Sequence, residues 1–374
     1  MRVAHVLPDL GPAGGGVSRF VLRLAAAQVA SSQGVHVYAA GDDAGEAAGA
    51  SCTWHNYPRL PPHRLGRSPA LRVALRYADV DVMHAHALWM RPLHYATLAS
   101  EHRKIPLVIS PHGALTPWAL RRSAIKKQLA ARLVHPRAFQ RAAGWHVASE
   151  LERRDLVRLG FGQPVCVAPP GIALPEASAC VAARDYYDAR APQLRGQRVL
   201  LFYSRLHGKK RVRELVEVFA GLAAQHPRWH LLIVGIPETE TVMGLRRQAD
   251  HRGLRARVTV LDGSDAPAPY PLAELFVLPT HSENFGLVVL EALSHGVPIV
   301  TTTGTPWADL ESVGAGACVE LEALSRALGE WMSRDGVALR HAGALGRDWA
   351  RQHFDGPTSA RRLVSFYAEL SSRR

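Results

Sequence analysis

Several features that mark a secreted, zinc-binding or membrane-spanning chain are missing from these 374 residues. The four cysteines are far apart and form no C-x-x-C pair, so neither a disulfide framework nor a zinc cluster is expected. There is no uncharged apolar run of about 18 residues, the length that a transmembrane helix needs. The amino terminus, MRVAHVLPDLG, is interrupted at Pro8 and Asp9 and is typical of a first strand, not of a signal peptide. We therefore expect a chain of a reducing, cytoplasmic compartment.

Acidic residues are absent between Glu101 and Glu150, where the chain is strongly basic. Residues 1–172 hold 21 Lys and Arg against 10 Asp and Glu, and so carry most of the net charge of +13. Nine basic residues lie in the stretch 103–141: Arg103, Lys104, Arg121, Arg122, Lys126, Lys127, Arg132, Arg137 and Arg141. Such a run can contact anionic membrane or a phosphorylated substrate, or it can be a solvated helix face. No nucleic-acid recognition motif accompanies it, so we expect no nucleic-acid partner.

The length and the pattern of strand-like runs predict two α/β domains. A composition of 47% hydrophobic and 21% charged residues is that of a globular chain. Short β-rich runs alternate with helical stretches in both halves, which predicts parallel sheets covered on both faces. A Pro- and Gly-rich segment from Ala168 to Gln197 without a sustained period is interpreted as a linker. The predicted domains are residues 1–172 and 173–354.

The glycine cluster after the first strand lacks the dinucleotide-binding spacing. Gly14, Gly15 and Gly16 are consecutive and do not spell G-x-G-x-x-G. The strand, loop and helix still resemble a Rossmann-like opening. An NAD-dependent oxidoreductase is therefore the least favoured function.

The stretch from His281 to Thr303, HSENFGLVVLEALSHGVPIVTTT, combines two carboxylates with a helix start. A helix beginning near Gly286 presents backbone N–H groups and the positive end of its dipole, which suits a diphosphate. Glu283 precedes the first turn, and Glu291 lies about two turns along the helix. Because carboxylates repel phosphate, they are expected to accept hydrogen bonds from sugar hydroxyls. The inferred ligand is a diphosphate that carries sugars.

A basic loop follows the strand that ends at Ser204. Arg205 and Lys210 lie on this loop and at the mouth of the next helix, where both cations can reach a diphosphate. Lys209 could take the place of Lys210. The alternative is a basic turn exposed to water.

Three histidines, His84, His86 and His112, fall at the carboxyl ends of predicted strands, where ligands of parallel sheets bind. Without an acidic or cysteine partner nearby in sequence, a metal site is not favoured. His84 and His86 are instead expected to hydrogen-bond an acceptor, with Trp89 and Trp118 offering flat apolar faces. Either tryptophan could equally belong to the core.

Two glutamates separated by seven residues, with Phe-Gly after the first and Glu-Ala and Gly-x-Pro later, resemble the signature of retaining glycosyltransferases of family 4. The resemblance covers nearly the whole chain and is most specific at residues 203–211 and 281–304. It implies the GT-B fold, in which two Rossmann-like domains with parallel sheets face each other across a cleft. It also implies that a carboxyl-terminal helix of about residues 355–374 crosses back to the first domain. The first domain would bind the acceptor and the second the nucleotide sugar.

The resemblance also assigns roles to individual residues. The expected catalytic residues are Glu283, His112, Arg205 and Lys210, with His112 of Ser-Pro-His-Gly reaching the donor sugar. The remaining expected donor-binding residues are Gly15, Gly16, Asn284, Phe285, Gly286, Leu287 and Glu291. Three turns depart from the family pattern: Pro170 stands where Asn is usual, Gly235-Ile236-Pro237-Glu238 replaces Gly-x-Gly-Pro, and Gly304-Thr305-Pro306-Trp307 replaces Gly-Gly-x-x-Glu.

The expected function is retaining transfer of a sugar, of hexosyltransferase type, from a nucleotide diphosphate sugar to a glycan or lipid-linked saccharide. The setting would be cell-surface polysaccharide assembly, with the basic stretch 103–141 contacting the inner face of the membrane. We expect no cofactor and no metal, because Arg205 and Lys210 can take the place of a cation held by an Asp-x-Asp pair. A double displacement with Glu283 as nucleophile stays open. The alternative functions are a nucleotide-sugar epimerase of the same layout and a non-catalytic glycan- or nucleotide-binding protein.

Overall fold

The computed structural model describes residues 1–11, 15–31, 34–41, 52–121 and 136–373. Contacts divide the chain into two compact units, one of Met1–Gly171 with Phe354–Arg374 and one of Ile172–His353. The closing helix therefore belongs to the first unit, which confirms the expected return of the chain.

The first unit is built on a parallel sheet, as the alternating runs predict. Its described strands are β1 (Arg2–Leu7), β2 (Gly34–Ala40), β3 (Thr53–Tyr57), β4 (Val82–His86), β5 (Leu107–Ser110), β6 (Ala142–Val147) and β7 (Val165–Val167). Their order is β3-β2-β1-β4-β5-β6-β7. The order reverses between β1 and β4, which places a switch point at the carboxyl ends of these two strands.

Helices cover this sheet and enclose its core. They are α1 (Gly15–Gln28), α2 (Pro69–Tyr77), α3 (Arg91–Arg103), α4 (Pro117–Arg121), α5 (Pro136–Arg141), α6 (Glu150–Arg158) and the carboxyl-terminal helix, Gly356–Ser372. The carboxyl-terminal helix packs against α1, β6 and β7. Gly144 on β6 permits this approach, because a Cβ there would lie 2.5 Å from the ring of Phe366.

The second unit repeats the design with six described strands, all parallel. They are β8 (Arg198–Tyr203), β9 (Trp229–Gly235), β10 (Val258–Asp262), β11 (Leu275–Leu278), β12 (Ile299–Thr302) and β13 (Gly316–Val319), in the order β10-β9-β8-β11-β12-β13. The helices are α7 (Ala177–Arg190), α8 (Val212–Leu222), α9 (Val242–His251), α10 (Leu287–Ser294), α11 (Leu310–Val313), α12 (Leu324–Met332) and α13 (Gly336–His353). The carboxyl-terminal helix becomes α14. The switch point lies between β8 and β11.

The structure differs from the sequence-based expectation at three elements. Strands β3 and β13 were not predicted, because both are short and lie at or near a sheet edge. The segment interpreted as a linker contains the 14-residue helix α7. Only two residues of α7, Ala183 and Tyr187, are buried. Because a helix that buries so little needs no apolar face, its sequence shows almost no apolar periodicity. No helix among the described residues is long and apolar enough to cross a membrane.

Candidate active site

Two loops meet at the switch point of the second sheet. One follows β8 and spans residues 204–211; the other follows β11 and spans residues 279–286. The carbonyl oxygen of Lys209 joins them, because it accepts a hydrogen bond from the amide of His281 at 2.9 Å. The predicted basic loop and the predicted glutamate loop are thus adjacent, at the edge where ligands of such sheets bind.

The side chains of Lys210 and Glu283 form a buried ion pair. Lys210 Nζ donates to Glu283 Oε1, and the two side chains are only 9% and 11% exposed. The hydroxyl of Thr280 donates to the same carboxylate oxygen at 2.9 Å. Burial alone would raise the pKa of Glu283, but Lys210, Lys209 and these hydrogen bonds outweigh it and lower the pKa. Glu283 is therefore an ionised carboxylate with its orientation fixed.

Close packing shapes the mouth of α10. Gly286 precedes the helix with φ +81°, a conformation that a residue with a side chain adopts only under strain. The fully buried indole of Trp307 donates to the carbonyl oxygen of Phe285 at 2.6 Å. Gly304 accepts a hydrogen bond from the amide of Glu283 at 2.7 Å, and a Cβ on Gly304 would lie 2.2 Å from the carbonyl oxygen of His281. The turn at 304–307, which differs from the family pattern, thus supports the start of helix α10.

Glu291 is oriented by a tyrosine that the sequence did not point to. The hydroxyl of Tyr270, which is 2% exposed, donates to Glu291 Oε2 at 2.8 Å. The Tyr270 ring contacts the rings of Tyr203 and His295 at centroid distances of 5.4 Å and 5.1 Å. This aromatic group fixes the carboxylate of Glu291 on α10.

Arg205 lies on the basic loop but does not join the buried pair. Its guanidinium donates to Glu238 Oε2 at 2.7 Å, with the two side chains 55% and 42% exposed. The turn that carries Glu238 begins at Gly235, which lies close to the basic loop: a Cβ on Gly235 would lie 2.0 Å from the carbonyl oxygen of Ser204. The structure therefore brings Lys210, Glu283 and the α10 mouth together and pairs Arg205 with the residue that departs from the family pattern.

In the first unit, a buried glutamate holds the Pro-His-Gly loop. His112 and Gly113 have φ values of +49° and +75°. Glu152 is 4% exposed and accepts hydrogen bonds from the amides of Gly113 at 2.7 Å and Ala148 at 3.1 Å. Burial raises the pKa of Glu152 to about 7, although both amides oppose that effect. Sequence reasoning missed Glu152 because it reads as an ordinary first-turn acid of α6.

Five histidines of the first unit form two buried hydrogen-bonded chains with neighbouring side chains. In one chain, His112 Nε2 contacts His86 Nδ1 at 2.9 Å, His86 Nε2 contacts His5 Nδ1 at 2.9 Å, and His5 Nε2 contacts Gln28 Oε1 at 2.6 Å. In the other, the Tyr367 hydroxyl contacts His84 Nδ1 at 2.6 Å, and Ser110 Oγ lies 2.7 Å from both His84 Nε2 and His146 Nδ1. His146 Nε2 completes it by donating to the carbonyl oxygen of Ala168 at 2.9 Å.

This arrangement corrects the expectation for His84 and His86. Their side chains are 0% and 1% exposed, so they do not offer an acceptor the hydrogen bonds expected of them. Phe20 of α1 and Tyr367 of α14 contact the histidine cluster at the covered sheet face. Burial lowers the pKa of both imidazoles well below the usual value.

The described residues also bear on metal binding. Ring nitrogens of His5, His84 and His86 lie within 4.8 Å of one another, the spacing of a possible ligand set. Hydrogen bonds to other side chains already engage both nitrogens of each ring. The sequence contains an Asp-x-Asp spacing at Asp79-Val80-Asp81. It precedes β4, at the amino-terminal end of that strand of the first sheet, and both carboxylates pair with Arg2.

Comparison with known proteins decides the family. Residues 187–341 match the model of glycosyl transferases group 1, and residues 15–171 match that of a glycosyl transferase 4-like domain. The chain is a group 1 glycosyltransferase. It is 27% identical over 319 residues to the GDP-mannose:cellobiosyl-diphosphopolyprenol alpha-mannosyltransferase of Xanthomonas campestris, covering 80% of this chain and 78% of that protein. It is 30% identical over 241 residues to a D-inositol 3-phosphate glycosyltransferase of Thermobispora bispora, covering 60% and 54%.

Solved structures give the fold of this glycosyltransferase. Anabaena HepE in complex with UDP and glucose superposes with a TM-score of 0.77 at 19% identity, covering 99% of this chain and 100% of that one. WaaG, a glycosyltransferase involved in lipopolysaccharide biosynthesis, superposes with a TM-score of 0.69 at 18% identity, covering 98% and 99%. The expected GT-B fold class is thereby confirmed.

Of the other expected site residues of the glycosyltransferase, Asn284 and Leu287 lie at the mouth of α10 in the second unit. The rest lie in the first unit. Helix α1 begins at Gly15, which has φ +57°. Among the described residues, which leave out 12–14, no atom lies within 4 Å of where a Cβ on Gly15 or Gly16 would stand. Their contact with a donor stays a prediction. Trp89 is half-buried against the core and Phe139, whereas Trp118 is a half-buried residue of the short helix α4. Their contact with an acceptor stays a prediction.

The basic stretch is only partly described. Arg122, Lys126, Lys127 and Arg132 lie outside the described residues. Arg103 pairs with Asp79 at 3.8 Å, and Arg141 pairs with Glu101 at 3.5 Å. Acids outside the stretch therefore neutralise part of its charge.

Proposed function

We propose that this glycosyltransferase transfers a sugar from a nucleotide diphosphate sugar with retention of anomeric configuration and without a metal ion. The observation that carries the proposal is the buried Lys210–Glu283 pair beside the mouth of α10. An ammonium, helix-end amides and an ionised carboxylate are the groups needed to bind a diphosphate and a sugar together.

The cationic groups stabilise the leaving group. When the bond between the anomeric carbon and the phosphate oxygen breaks, its electron pair stays on the nucleotide diphosphate. Lys210 uses one N–H on Glu283 and retains two more for phosphate oxygens. Arg205 joins them once its exposed contact with Glu238 opens. Removing one such preorganised donor typically raises the barrier by about 3–4 kcal/mol.

The carboxylates of Glu283 and Glu291 bind the sugars of the donor. Lys210 and Thr280 both occupy Oε1 of Glu283, so Oε2 is the oxygen that accepts from a donor-sugar hydroxyl. Glu291, held by Tyr270, accepts from the ribose hydroxyls. The acceptor oxygen bonds to the anomeric carbon on the face that the phosphate leaves, and the acceptor proton passes to the leaving phosphate oxygen. Covalent trapping of a sugar on Glu283 would instead establish a double displacement.

Acceptor and setting are inferred from the relatives. The Xanthomonas campestris relative is named for transfer to a diphosphopolyprenol-linked disaccharide. We therefore assign this chain a glycan or lipid-linked saccharide acceptor in cell-surface polysaccharide assembly, on the cytoplasmic side. The basic stretch 103–141 would hold the enzyme at anionic membrane.

A two-stage experiment tests the proposed function. A thermal-shift panel of nucleotide sugars identifies the donor, because a ligand raises the melting temperature by an amount set by its concentration over Kd. The selected donor is then incubated with polyprenyl-diphosphate saccharides, with and without EDTA, and the product anomer is determined by NMR. The proposal predicts a retained anomer and turnover in EDTA. Donor turnover without any acceptor would favour an epimerase, and an inverted product would contradict the proposal.

Membrane contact is tested separately by co-sedimentation with phosphatidylglycerol vesicles. Binding is expected at low ionic strength and should weaken as salt screens the charges. Absence of binding at low salt would contradict the proposed membrane contact, and the proposed transfer reaction would still stand.

A further inference from the structure

The two histidine chains of the first unit can hold their protons in one arrangement only. Four of the imidazoles are buried and that of His112 is partly buried. Burial lowers the pKa of all five, so each ring is neutral and carries one ring proton. A neutral imidazole donates through one nitrogen and accepts through the other. Fixing the donor at one end of such a chain therefore fixes every hydrogen bond along it.

The direction of the first chain is set at a backbone carbonyl. The oxygen of Ala168 can only accept, so His146 carries its proton on Nε2 and accepts at Nδ1 from the hydroxyl of Ser110. That hydroxyl has a single proton, so it accepts from Nε2 of His84. His84 Nδ1 is then bare and accepts from the hydroxyl of Tyr367.

The side chain of Gln28 sets the donor direction of the hydrogen bonds in the other histidine chain, His5–His86–His112. Since the Tyr367 proton is committed, its oxygen can only accept, and the polar neighbour it interacts with is the Gln28 side chain. Gln28 Nε2 is a buried atom without a hydrogen-bond partner among the described residues. The amide nitrogen therefore faces Tyr367, and Oε1 accepts from Nε2 of His5. His5 Nδ1 accepts from His86 Nε2, and His86 Nδ1 accepts from His112 Nε2.

We propose that Tyr367 and Gln28 are positioning residues that fix the tautomer of His112, leaving its Nδ1 as a bare hydrogen-bond acceptor. Nδ1 has no hydrogen bond among the described residues and is not a buried unpaired atom, so it is the nitrogen open to a ligand. A bare nitrogen binds a hydroxyl and repels a phosphate or carbonyl oxygen. On the proposed function, a saccharide hydroxyl is therefore the kind of group from which Nδ1 of His112 accepts a hydrogen bond.

The wild-type protein provides the first test. Nitrogen NMR of histidine-labelled free protein, at about pH 8 where the rings are neutral, distinguishes protonated from bare ring nitrogens. His5, His84, His86, His112 and His146 are all expected to carry the proton on Nε2. A proton on Nδ1 of His112 would overturn the proposal, whatever any variant does.

A substitution remote from His112 provides the second test. Tyr367→Phe removes the hydroxyl that constrains Gln28 and leaves the His5–His86–His112 chain in place. Both tautomers of His112 should then be populated. Tyr187→Phe is the matched control, because Tyr187 is a fully buried tyrosine of the second unit that donates to the carbonyl oxygen of Pro267 at 2.7 Å. If the tautomer of His112 is unchanged in Tyr367→Phe, then Tyr367 does not determine it, and the proposal is contradicted.

The test is independent of the transfer reaction. The tautomer is measured on the free protein, so its outcome stands even if no donor binds. If a donor is found, Tyr367→Phe should weaken binding of the nucleotide sugar more than binding of the nucleotide diphosphate alone. Equal weakening of both would show that the tautomer does not act through a sugar hydroxyl.

Discussion

At the scale of single residues, burial separates two ion pairs of similar chemistry. Lys210 and Glu283 are 9% and 11% exposed, whereas Arg205 and Glu238 are 55% and 42% exposed. Breaking a buried pair leaves an uncompensated charge in the interior, whereas an exposed pair exchanges its partner for water. Lys210 therefore contributes to stability in a way that Arg205 does not, whereas the proposed function assigns ligand binding to both.

The first prediction compares the two cations by urea unfolding. Lys210→Ala should lower the free energy of unfolding by about 3–5 kcal/mol, because Glu283 is left buried and charged. Arg205→Ala should lower it by less than about 1 kcal/mol. Adding Glu283→Gln to Lys210→Ala should recover part of the loss. Equal costs for the two single variants would contradict the difference in burial.

The second prediction concerns Glu238, which holds Arg205 in the free protein. Glu238→Gln removes the negative charge that pairs with Arg205. Because the proposed function assigns Arg205 to the diphosphate, nucleotide-sugar binding should strengthen by about 2- to 5-fold, the scale of an exposed ion pair. Glu240→Gln is the matched control, because Glu240 pairs with Arg213 two positions further along the same turn. Calorimetric titration at low salt measures both. The prediction fails if the two variants bind alike.

Resemblance to a family could place Glu283, Glu291, Arg205 and Lys210, but not their partners. Lys210 and Glu283 are 73 positions apart, and only the folded sheet brings their loops together. Glu238 and Tyr270 act on Arg205 and Glu291 through contacts that no local pattern signals.

At the scale of elements, the start of α10 is set by one backbone conformation. Gly286 has φ +81°, and a Cβ there would lie 3.3 Å from the indole nitrogen of Trp307. That nitrogen donates to Phe285, so any shift of the ring also loosens the loop. The amides at the helix mouth therefore depend on a glycine at this position.

The third prediction substitutes this glycine and a control glycine. Gly286→Ala should destabilise the protein by about 1–2 kcal/mol, because alanine is strained at positive φ. It should also weaken donor binding. Gly221→Ala, in α8 with no atom within 4 Å of its Cβ, should be neutral or stabilise by up to about 1 kcal/mol. Thermal unfolding measures both, and a neutral Gly286→Ala would refute the strained turn.

Elements with a strong apolar period were predictable and the others were not. The buried strands β1, β8 and β9 read directly from their sequences. Helix α7 did not, because it buries so little of its surface that composition suggested a linker. Strands β3 and β13 gain their structure from pairing with β2 and β12 rather than from their own residues.

At the scale of the whole molecule, buried titratable groups link stability to pH. Burial lowers the pKa of His5 and His146 from 6.5 to about 4 and that of His112 to about 3. Between these values the unfolded chain binds more protons, so the stability from each histidine is complete above pH 6.5 and is lost as pH falls. Glu152 acts oppositely: its raised pKa of about 7 gives stability that is present below 4.5 and lost as pH rises through 7.

The fourth prediction follows from these opposite signs. Several histidines outweigh one glutamate, so the free energy of unfolding should fall as pH drops from about 6.5 toward 4, by about 1.4 kcal/mol per pH unit for each histidine. Glu152→Gln removes the opposing contribution and should steepen the fall. Urea unfolding across this range measures it. A flat profile would mean that these imidazoles do not stay neutral in the fold.

The two-unit organisation was predictable from alternating strand and helix patterns, but the histidine network was not. His5 and His146 sit within apolar runs and read as core residues of separate strands. Their meeting depends on the order of β1, β4, β5 and β6 in the sheet. Polar residues recurring inside otherwise apolar strands were the one available signal.

The most direct test of the central claim is calorimetric titration of wild type and Arg205→Ala with the nucleotide sugar selected by the thermal-shift panel. Arg205 is the right residue because its removal should leave stability intact. We predict binding to wild type, at least about 10-fold weaker binding to Arg205→Ala through loss of a charge-assisted contact, and unchanged binding to Arg213→Ala. Equal affinities of wild type and Arg205→Ala would contradict the claim that the basic loop of the second unit binds the departing nucleotide diphosphate.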